Sequence, residues 1–180
     1  DYMTIQEAVD AAVSGDAIQI EPGTYIDDDA DGVIVAISGK DLIISAPSSG
    51  VTLDGSESAR GFVVANATAS LYRLDLLDCV ALDGEGGGGV LSTDMGGNDL
   101  TLKIDSCTFT SCSSSMEHDQ GGAVCIRGGS SSLHNYEITD CLFTLCESAG
   151  YAGVLYADDA NGVITNTSFI DCSAARGGAC

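Results

Sequence analysis

The chain has 180 residues, with 27 acidic side chains against six basic ones and a formal net charge of −21. Its length suits one domain with a substantial core, and 23 glycines without tryptophan suit a fold with many tight corners. Such an acidic protein repels nucleic acid, anionic membranes and polyuronate sugars, and it attracts cations. Because no apolar run approaches the roughly 18 residues of a membrane span, we expect a soluble protein, either mature or a cut segment.

Residues 4–25 are predicted to form an amphipathic helix followed by a first strand. Thr4 and Glu7 have the spacing of a capping box, and the segment Ser-Gly-Asp at 14–16 ends the helix. The apolar helix face consists of Ile5, Ala8, Val9 and Ala12. A helix in this position would cover the apolar interior and the unpaired strand edges at the end of a stacked fold.

An acidic turn follows at 26–32, with the sequence Ile-Asp-Asp-Asp-Ala-Asp-Gly. Asp27, Asp29 and Asp31 alternate before a glycine, which matches the first half of a calcium-binding loop. The position of the bidentate glutamate in an EF-hand is Ser38, so this is not an EF-hand. Two interpretations stay open: a solvated acidic loop, and a calcium site formed by the three aspartates.

Short apolar segments between turn residues continue the chain and are predicted to be strands of a plain scaffold. They are Val33 to Ile37, Leu42 to Ser45, Val51 to Leu53, Phe62 to Val64 and Leu71 to Leu77.

The second half contains a repeat, most clearly in residues 102–126, which recurs at 136–155, at 163–180 and, more loosely, at 71–91. Each copy has a β-branched residue or leucine, then phenylalanine or leucine five positions later, cysteine three positions after that, and a Gly/Ala-rich turn. One set of equivalent positions is Leu71, Ile104, Ile138 and Ile164, and another is Cys79, Cys112, Cys146 and Cys172. Gly-Gly at 121–122 and at 177–178 supplies the backbone freedom for a corner.

A period of roughly 26 to 34 residues is the length of one solenoid turn. The apolar residues alternate in short runs, as strands require, and do not follow helical spacing. We therefore predict an all-β fold, a parallel β-solenoid with an N-terminal capping helix. Its single domain, 1–180, comprises the cap and first strand (1–24), cysteine-free coils (25–78) and cysteine-containing repeats (79–180).

All eight cysteines lie from Cys79 onward. Stacked turns would place equivalent cysteines about 4.8 Å apart, the spacing of β-strands. This spacing is compatible with an internal ladder of small apolar thiols and also with disulfides, so both interpretations stay open for Cys79, Cys107, Cys112, Cys141, Cys146 and Cys172. Zinc is disfavoured, because paired Cys-x-x-Cys knuckles are missing and the two histidines, His118 and His134, are expected on solvated polar loops.

Two stretches resemble known proteins. The opening segment TIQEAVDAAVSGDAIQIEPGTY resembles the entry to right-handed parallel β-helices of the pectate-lyase-like superfamily. The later segments CTFTSCSSSMEHDQGGAVC, CLFTLCESAGYAGVL and TSFIDCSAARGGAC resemble the repeats of polymorphic outer membrane proteins, with cysteine where that family has asparagine. The resemblance implies a right-handed parallel β-helix but no single activity, because the superfamily contains lyases, hydrolases, adhesins and structural surface proteins.

No convincing catalytic constellation is found. The six basic residues are scattered over different coils, whereas a pectate lyase needs a basic groove. Asp158-Asp159 reads as a turn, and the glycine run at 86–89 lacks a lysine to hold phosphate. We therefore expect a non-enzymatic structural or adhesive protein. The alternative is a carbohydrate-binding or polysaccharide-degrading β-helix, with Tyr136, Tyr151 and Tyr156 as candidate sugar platforms.

Two sequons, at Asn66 and Asn166, suit a secreted glycoprotein at the cell surface or in the extracellular space. The final repeat stops at Cys180 after its Gly-Gly-Ala turn, which leaves an open edge. We expect this end to continue into neighbouring domains of a longer chain, or to stack on another copy in a fibre assembled head to tail. Glycans are further candidate partners.

Overall fold

The computed structural model describes residues 2–93, 100–129 and 134–179. These residues form one short helix and parallel strands, and none of their helices is long and apolar enough to span a membrane. The first elements are α1 Ile5–Ala11, β1 Ala17–Gln19, β2 Gly23–Tyr25, β3 Val33–Ser38, β4 Leu42–Ser45, β5 Val51–Asp54, β6 Arg60–Ala65, β7 Ala69–Tyr72, β8 Asp75–Leu77, β9 Val80–Ala81 and β10 Val90–Thr93. The later strands are β11 Thr101–Asp105, β12 Thr108–Thr110, β13 Ser113–Ser114, β14 Val124–Arg127, β15 His134–Thr139, β16 Leu142–Thr144, β17 Glu147–Tyr151, β18 Leu155–Asp158, β19 Ala160–Thr165, β20 Ser168–Ile170 and β21 Ser173–Arg176.

The strands of the described residues pair in four sheets. Sheet 1 has the order β1-β4-β7-β11-β15-β19, and sheet 2 has the order β2-β5-β8-β12-β16-β20. Sheet 3 has the order β9-β13-β17-β21, and sheet 4 has the order β3-β6-β10-β14-β18. The chain adds one strand to a sheet each time it returns to that sheet. Hydrogen bonds between successive returns join, for example, Cys141 to Thr167, 26 positions apart, and Ser114 to Ser148, 34 positions apart. The predicted all-β class with an N-terminal helix is confirmed, and the strand order is compatible with a solenoid.

The core consists of columns of side chains that repeat from turn to turn. Phe109 pairs in register with Leu76 on one side and with Phe143 on the other, and Phe143 pairs with Phe169. The three phenylalanine rings stack with centroid separations of 4.6 and 5.3 Å. Alternate residues of a strand point to opposite faces of the sheet. One apolar residue at this position in each strand therefore fills the column.

The equivalences predicted from the repeat are confirmed by the strand register. Ile104 lies between Leu71 and Ile138 in sheet 1, and Ile138 pairs with Ile164. The predicted strand from Leu71 to Leu77 is wrong as a single element: it comprises β7 and β8, which are separated at Arg73. The backbone of Arg73 has φ 57°, a left-handed conformation that turns the chain from sheet 1 to sheet 2.

Helix α1 begins with the predicted capping box between Thr4 and Glu7. It buries Ile5 and Val9, and the helix packs against β3. At its other end the Lys40 ammonium donates hydrogen bonds of 3.0, 3.2 and 3.1 Å to the carbonyl oxygens of Val9, Asp10 and Ala12, respectively. A cation at this end stabilises the carbonyl groups that the helix leaves without partners.

Candidate metal and thiol sites

Four cysteines form one column, which we call the main cysteine column. Its members are Cys79, Cys112, Cys146 and Cys172, and the residue before each has a positive φ between 48° and 56°. Each thiol lies 3.6 to 3.7 Å from a carbonyl oxygen of the preceding turn. The thiols therefore repeat with the turns, as the repeat predicted.

Each thiol of the main column also donates a hydrogen bond to a carbonyl oxygen two residues earlier in its own turn. These distances range from 3.3 Å for Cys172 to 3.8 Å for Cys112. The accepting carbonyl precedes the left-handed residue that turns the chain between sheets 2 and 3. A small polar side chain is thus suited to this corner, because it donates a hydrogen bond to this carbonyl oxygen and occupies little volume.

A second column lies at the corner between sheets 1 and 2 and contains Cys107, Cys141 and Thr167. The Cys107 and Cys141 thiols are each 3.6 Å from a carbonyl oxygen of the preceding turn. In the last turn the Thr167 hydroxyl takes the same place and donates to the Thr165 carbonyl at 2.9 Å. A hydroxyl therefore replaces a thiol here and makes the same type of hydrogen bond to the carbonyl oxygen two residues earlier.

Burial makes most of these thiols poor nucleophiles. It raises the pKa of Cys107 to about 12 and the pKa of Cys141 to about 11. Burial also raises the pKa of Cys112, whereas a hydrogen bond from Cys112 lowers the pKa of Cys146. The seven cysteines of the described residues carry free thiols, and Cys180 lies outside the described residues. Because the thiolate is the reactive form, the inner thiols are chemically protected.

Cys125 belongs to neither column, and the repeat does not predict a site at its position. It pairs with Leu91 and Tyr156 on sheet 4 and is fully buried. Burial raises its pKa to about 11, and the positive charge of Arg127 acts in the opposite direction. The repeat has no cysteine at the equivalent positions, so the place of Cys125 in the fold follows only from the strand register of sheet 4.

The acidic loop brings the three predicted aspartates together. One carboxylate oxygen from each of Asp27, Asp29 and Asp31 lies within 4.8 Å of the others. The Asp27 carboxylate accepts hydrogen bonds from the backbone N–H groups of Ala30 at 2.9 Å and Gly32 at 2.8 Å. These bonds hold the loop in a conformation in which the three carboxylates face one another.

The electrostatics of this loop favour a cation. A hydrogen bond from the Asp31 backbone N–H lowers the pKa of Asp29, but desolvation and the negative charges of Asp31 and Asp27 leave that pKa raised overall. Carboxylate oxygens are the ligands of hard cations, so the donor set fits calcium. Water molecules would have to provide the remaining ligands, because calcium takes six to eight oxygens.

Both predicted glycosylation sites lie at exposed corners. Asn66 has φ 51° and Asn166 has φ 49°, and both residues are exposed. Either side chain can therefore extend into solvent with a glycan attached. The structure thus allows modification at both positions, and occupancy stays a prediction.

Each of the six basic residues has a defined partner. Arg60, Lys103, Arg127 and Arg176 form ion pairs with Asp83, Glu137, Glu85 and Glu117, respectively. Arg73 donates to the Ala46 carbonyl at 2.8 Å, and Lys40 caps α1. No basic groove that could hold a uronate chain is therefore formed by these side chains.

The three tyrosines proposed as a sugar platform lie on three different sheets. Tyr136 is in sheet 1, where its ring covers Gly162 of the next strand, and a Cβ at Gly162 would lie 2.4 Å from that ring. Tyr151 is in sheet 3, where its hydroxyl accepts a 2.9 Å hydrogen bond from Arg176. Tyr156 is in sheet 4. They do not form one platform along a single sheet.

The expectation that both histidines lie on solvated loops is wrong for His134. This residue opens β15, is fully buried, and its Nε2 atom lies 3.0 Å from the Ser92 hydroxyl. His118 is exposed, as predicted. The error arose because the polar residues before His134 suggested a loop, whereas pairing with strands of other turns places it in a sheet.

The chain was also compared with known proteins. A scan against protein-family models, a search of curated proteins and a search of solved structures each found no match.

Proposed function

We propose that this chain is a right-handed parallel β-helix that serves as a non-enzymatic structural or adhesive protein outside the cell, as a subunit of a fibre assembled end to end. One observation carries the proposal. At the end of the stack formed by β19, β20 and β21, side chains that equivalent turns bury are exposed along three unpaired strand edges.

The loss of burial is clearest in sheet 1. Ile138 is 1% exposed, whereas Ile164, its partner in the next turn, is 37% exposed. Phe169 and Cys172 are half-buried, although Phe143 and Cys146 in the turn before are fully buried. A further layer of strands, from another subunit or from neighbouring domains of a longer chain, would cover these side chains and would supply partners for the N–H and C=O groups of the edges.

The opposite end offers a surface of a different kind. Strands β1 and β2 have unpaired outer edges, and a groove of about 470 Å³ lies between them and α1. Apolar side chains such as Ile5, Ile18 and Tyr25 contribute to this groove. Contact between two unlike ends is heterologous, and a heterologous contact that does not close generates a filament.

The charge of the protein opposes such assembly, so the proposal includes a neutralising partner. A net charge of −21 makes neighbouring subunits repel each other. Calcium at the acidic loop would offset part of this repulsion. Glycans at the exposed Asn66 and Asn166 would keep neighbouring fibres apart and so oppose precipitation. Glycosylation at these sites agrees with the proposed extracellular location.

Electron microscopy and light scattering with added calcium test the proposal, with Ile164→Lys as the informative variant. Filaments are expected from the native protein, and a charge at Ile164 should abolish them because this side chain faces the core column. Ile170→Lys is the matched control, since Ile170 is 47% exposed but lies in an outward position of β20. Dispersed monomers of the native protein, or equal assembly by both variants, would reject end-to-end assembly.

A further inference from the structure

The loop between β13 and β14 contains a buried carboxylate, that of Asp119. The residue is 0% exposed, and its Oδ2 atom accepts a 2.7 Å hydrogen bond from the Met116 backbone N–H. Its own N–H donates to the Met116 carbonyl at 2.9 Å, and its carbonyl accepts from the Tyr151 N–H at 2.8 Å. The other carboxylate oxygen, Oδ1, is also buried and has no hydrogen-bond partner in residues 2–93, 100–129 and 134–179. The loop therefore holds one acceptor in place without a partner from the described part of the chain.

This oxygen faces Gly84, in the loop between β9 and β10. A Cβ built on Gly84 would lie 3.9 Å from Asp119 Oδ1 and 3.7 Å from the Met116 sulfur atom. Gly84 is half-buried, and Met116 is 48% exposed. Because a glycine has no side chain and methionine is unbranched and flexible, a small group can approach Oδ1 from solvent once the Met116 side chain moves aside.

The charges around this oxygen are not balanced. Asp83 forms an ion pair with Arg60 and Glu85 forms one with Arg127, so both nearby arginines are engaged. The other basic residues of the chain bond to other groups; they are Lys40, Arg73, Lys103 and Arg176. A buried carboxylate is unfavourable unless a positive group or hydrogen bonds compensate its charge. Asp119 therefore favours a cationic ligand over a neutral one.

The surroundings of Oδ1 distinguish between two kinds of cation. Calcium takes six to eight oxygen ligands, whereas no group of three potential metal-ligating side chains among the described residues includes Asp119. A primary ammonium group needs only acceptors for its three N–H donors, and the alkyl chain that carries it packs on apolar surface. The Met116 side chain provides such a surface beside Oδ1. An alkylammonium ion therefore suits this position better than a metal ion.

We propose that Asp119 Oδ1 anchors a binding site for a primary ammonium group, as carried by a lysine side chain of a basic partner protein. The ammonium group donates to Oδ1, and the lysine methylene groups lie along Met116. Exposed carboxylates around the site attract such a partner over longer distances; they belong to Asp83, Glu85 and Glu117. Assembly into fibres is not needed for this site, so the inference is independent of the proposed structural role.

Titration with Nα-acetyl-L-lysine amide, followed by NMR of the backbone amides, tests the proposal. The probe should shift the resonances of Gly84, Met116 and Asp119 to saturation, and the same probe acetylated at its ε-amine should not. Asp119→Asn and Glu117→Gln are the matched variants, because each removes one negative charge from the same loop. Asp119→Asn should weaken binding by about 10-fold or more, since it removes the charged acceptor. Glu117→Gln should weaken it by about twofold or less, as expected for an exposed charge.

A competition with calcium does not depend on variants. Calcium at the acidic loop would shift resonances of residues 27–31 and should leave the probe bound at Gly84 and Met116. Displacement of the probe by an equal concentration of calcium would assign a metal site and overturn the proposal. It is also overturned if both variants bind equally, if the acetylated probe binds as well, or if the shifts in the native protein are absent or centred on other residues. The shifts in the native protein decide the outcome even if Asp119→Asn does not fold.

Discussion

The Gln6 side chain pairs with the backbone of Ala36 as a neighbouring strand would. Its Nε2 atom donates to the Ala36 carbonyl at 3.2 Å, and the Ala36 N–H donates to its Oε1 atom at 2.8 Å. Ala36 lies in β3, the edge strand of sheet 4. A side-chain amide on the capping helix thus satisfies part of an edge that would otherwise be open to another chain.

Replacing Gln6 should weaken the attachment of the helix to this edge. Gln6→Ala removes both hydrogen bonds to Ala36 and a third to the Asp10 carboxylate. We expect a loss of about 1 kcal/mol in the free energy of unfolding, since such bonds contribute roughly 0.5–1.5 kcal/mol each and these are exposed. Denaturant titration measures the change. Gln19→Ala is the control, because this residue is exposed on β1 and should shift the midpoint little. An equal loss in both variants would contradict the interpretation.

The ion pair between Arg60 and Asp83 should make stability depend on pH. Arg60 is 4% exposed and donates to the Asp83 carboxylate at 2.7 and 3.0 Å. The Arg60 hydrogen bond lowers the pKa of Asp83. A carboxyl group whose folded pKa is depressed contributes stability above its unfolded pKa, about 3.9, and loses it as the pH falls through the folded pKa.

Asp83→Asn should therefore destabilise the protein by about 1 to 2 kcal/mol at neutral pH, a value reduced because the carboxylate is half exposed. The difference from the native protein should shrink below about pH 4. Unfolding midpoints from pH 2 to 7 measure it, with the exposed Glu57→Gln as the control. A difference that stays constant down to pH 2 would show that the ion pair does not cause it.

Gly122 lies where the backbones of adjacent strands approach each other closely. A Cβ there would lie 2.2 Å from the Gly153 carbonyl oxygen and 2.3 Å from that of Glu147. Because backbone atoms of a neighbouring turn cannot move aside alone, Gly122→Ala should cost about 2 to 3 kcal/mol. Gly178→Ala, which meets nothing within 4 Å, should be nearly neutral by thermal melting. Similar melting temperatures for both variants would contradict this account.

Calcium should stabilise the acidic loop. Millimolar calcium is expected to raise the melting temperature, with a midpoint on the order of 10⁻⁴ to 10⁻³ M, as in extracellular calcium modules. Asp29→Ala should remove the shift, since the Asp29 carboxylate belongs to the cluster. Asp28→Ala should retain it, because this neighbouring carboxylate lies outside the cluster. If calcium leaves the melting temperature unchanged, the loop binds no calcium and is a solvated acidic turn.

Most of the inward-facing columns could be predicted from the sequence. Phe109, Phe143 and Phe169 recur at the same place in each repeat, and strands that alternate inward and outward residues can stack in only one register without exposing them. The equivalence of Cys112 and Cys146 follows in the same way. The three alternating aspartates also lie together, because all of them belong to one short turn.

Contacts between turns decided the features that the sequence left open. Arg73 and Leu145 form left-handed corners although neither is a typical turn residue, because the turns above and below hold the chain there. His134 is buried because Ser92, 42 positions earlier, provides its hydrogen-bond partner. Local pattern determines which residues face inward in this protein. Pairing between distant residues determines which polar groups find partners, and only the tertiary structure contains that information.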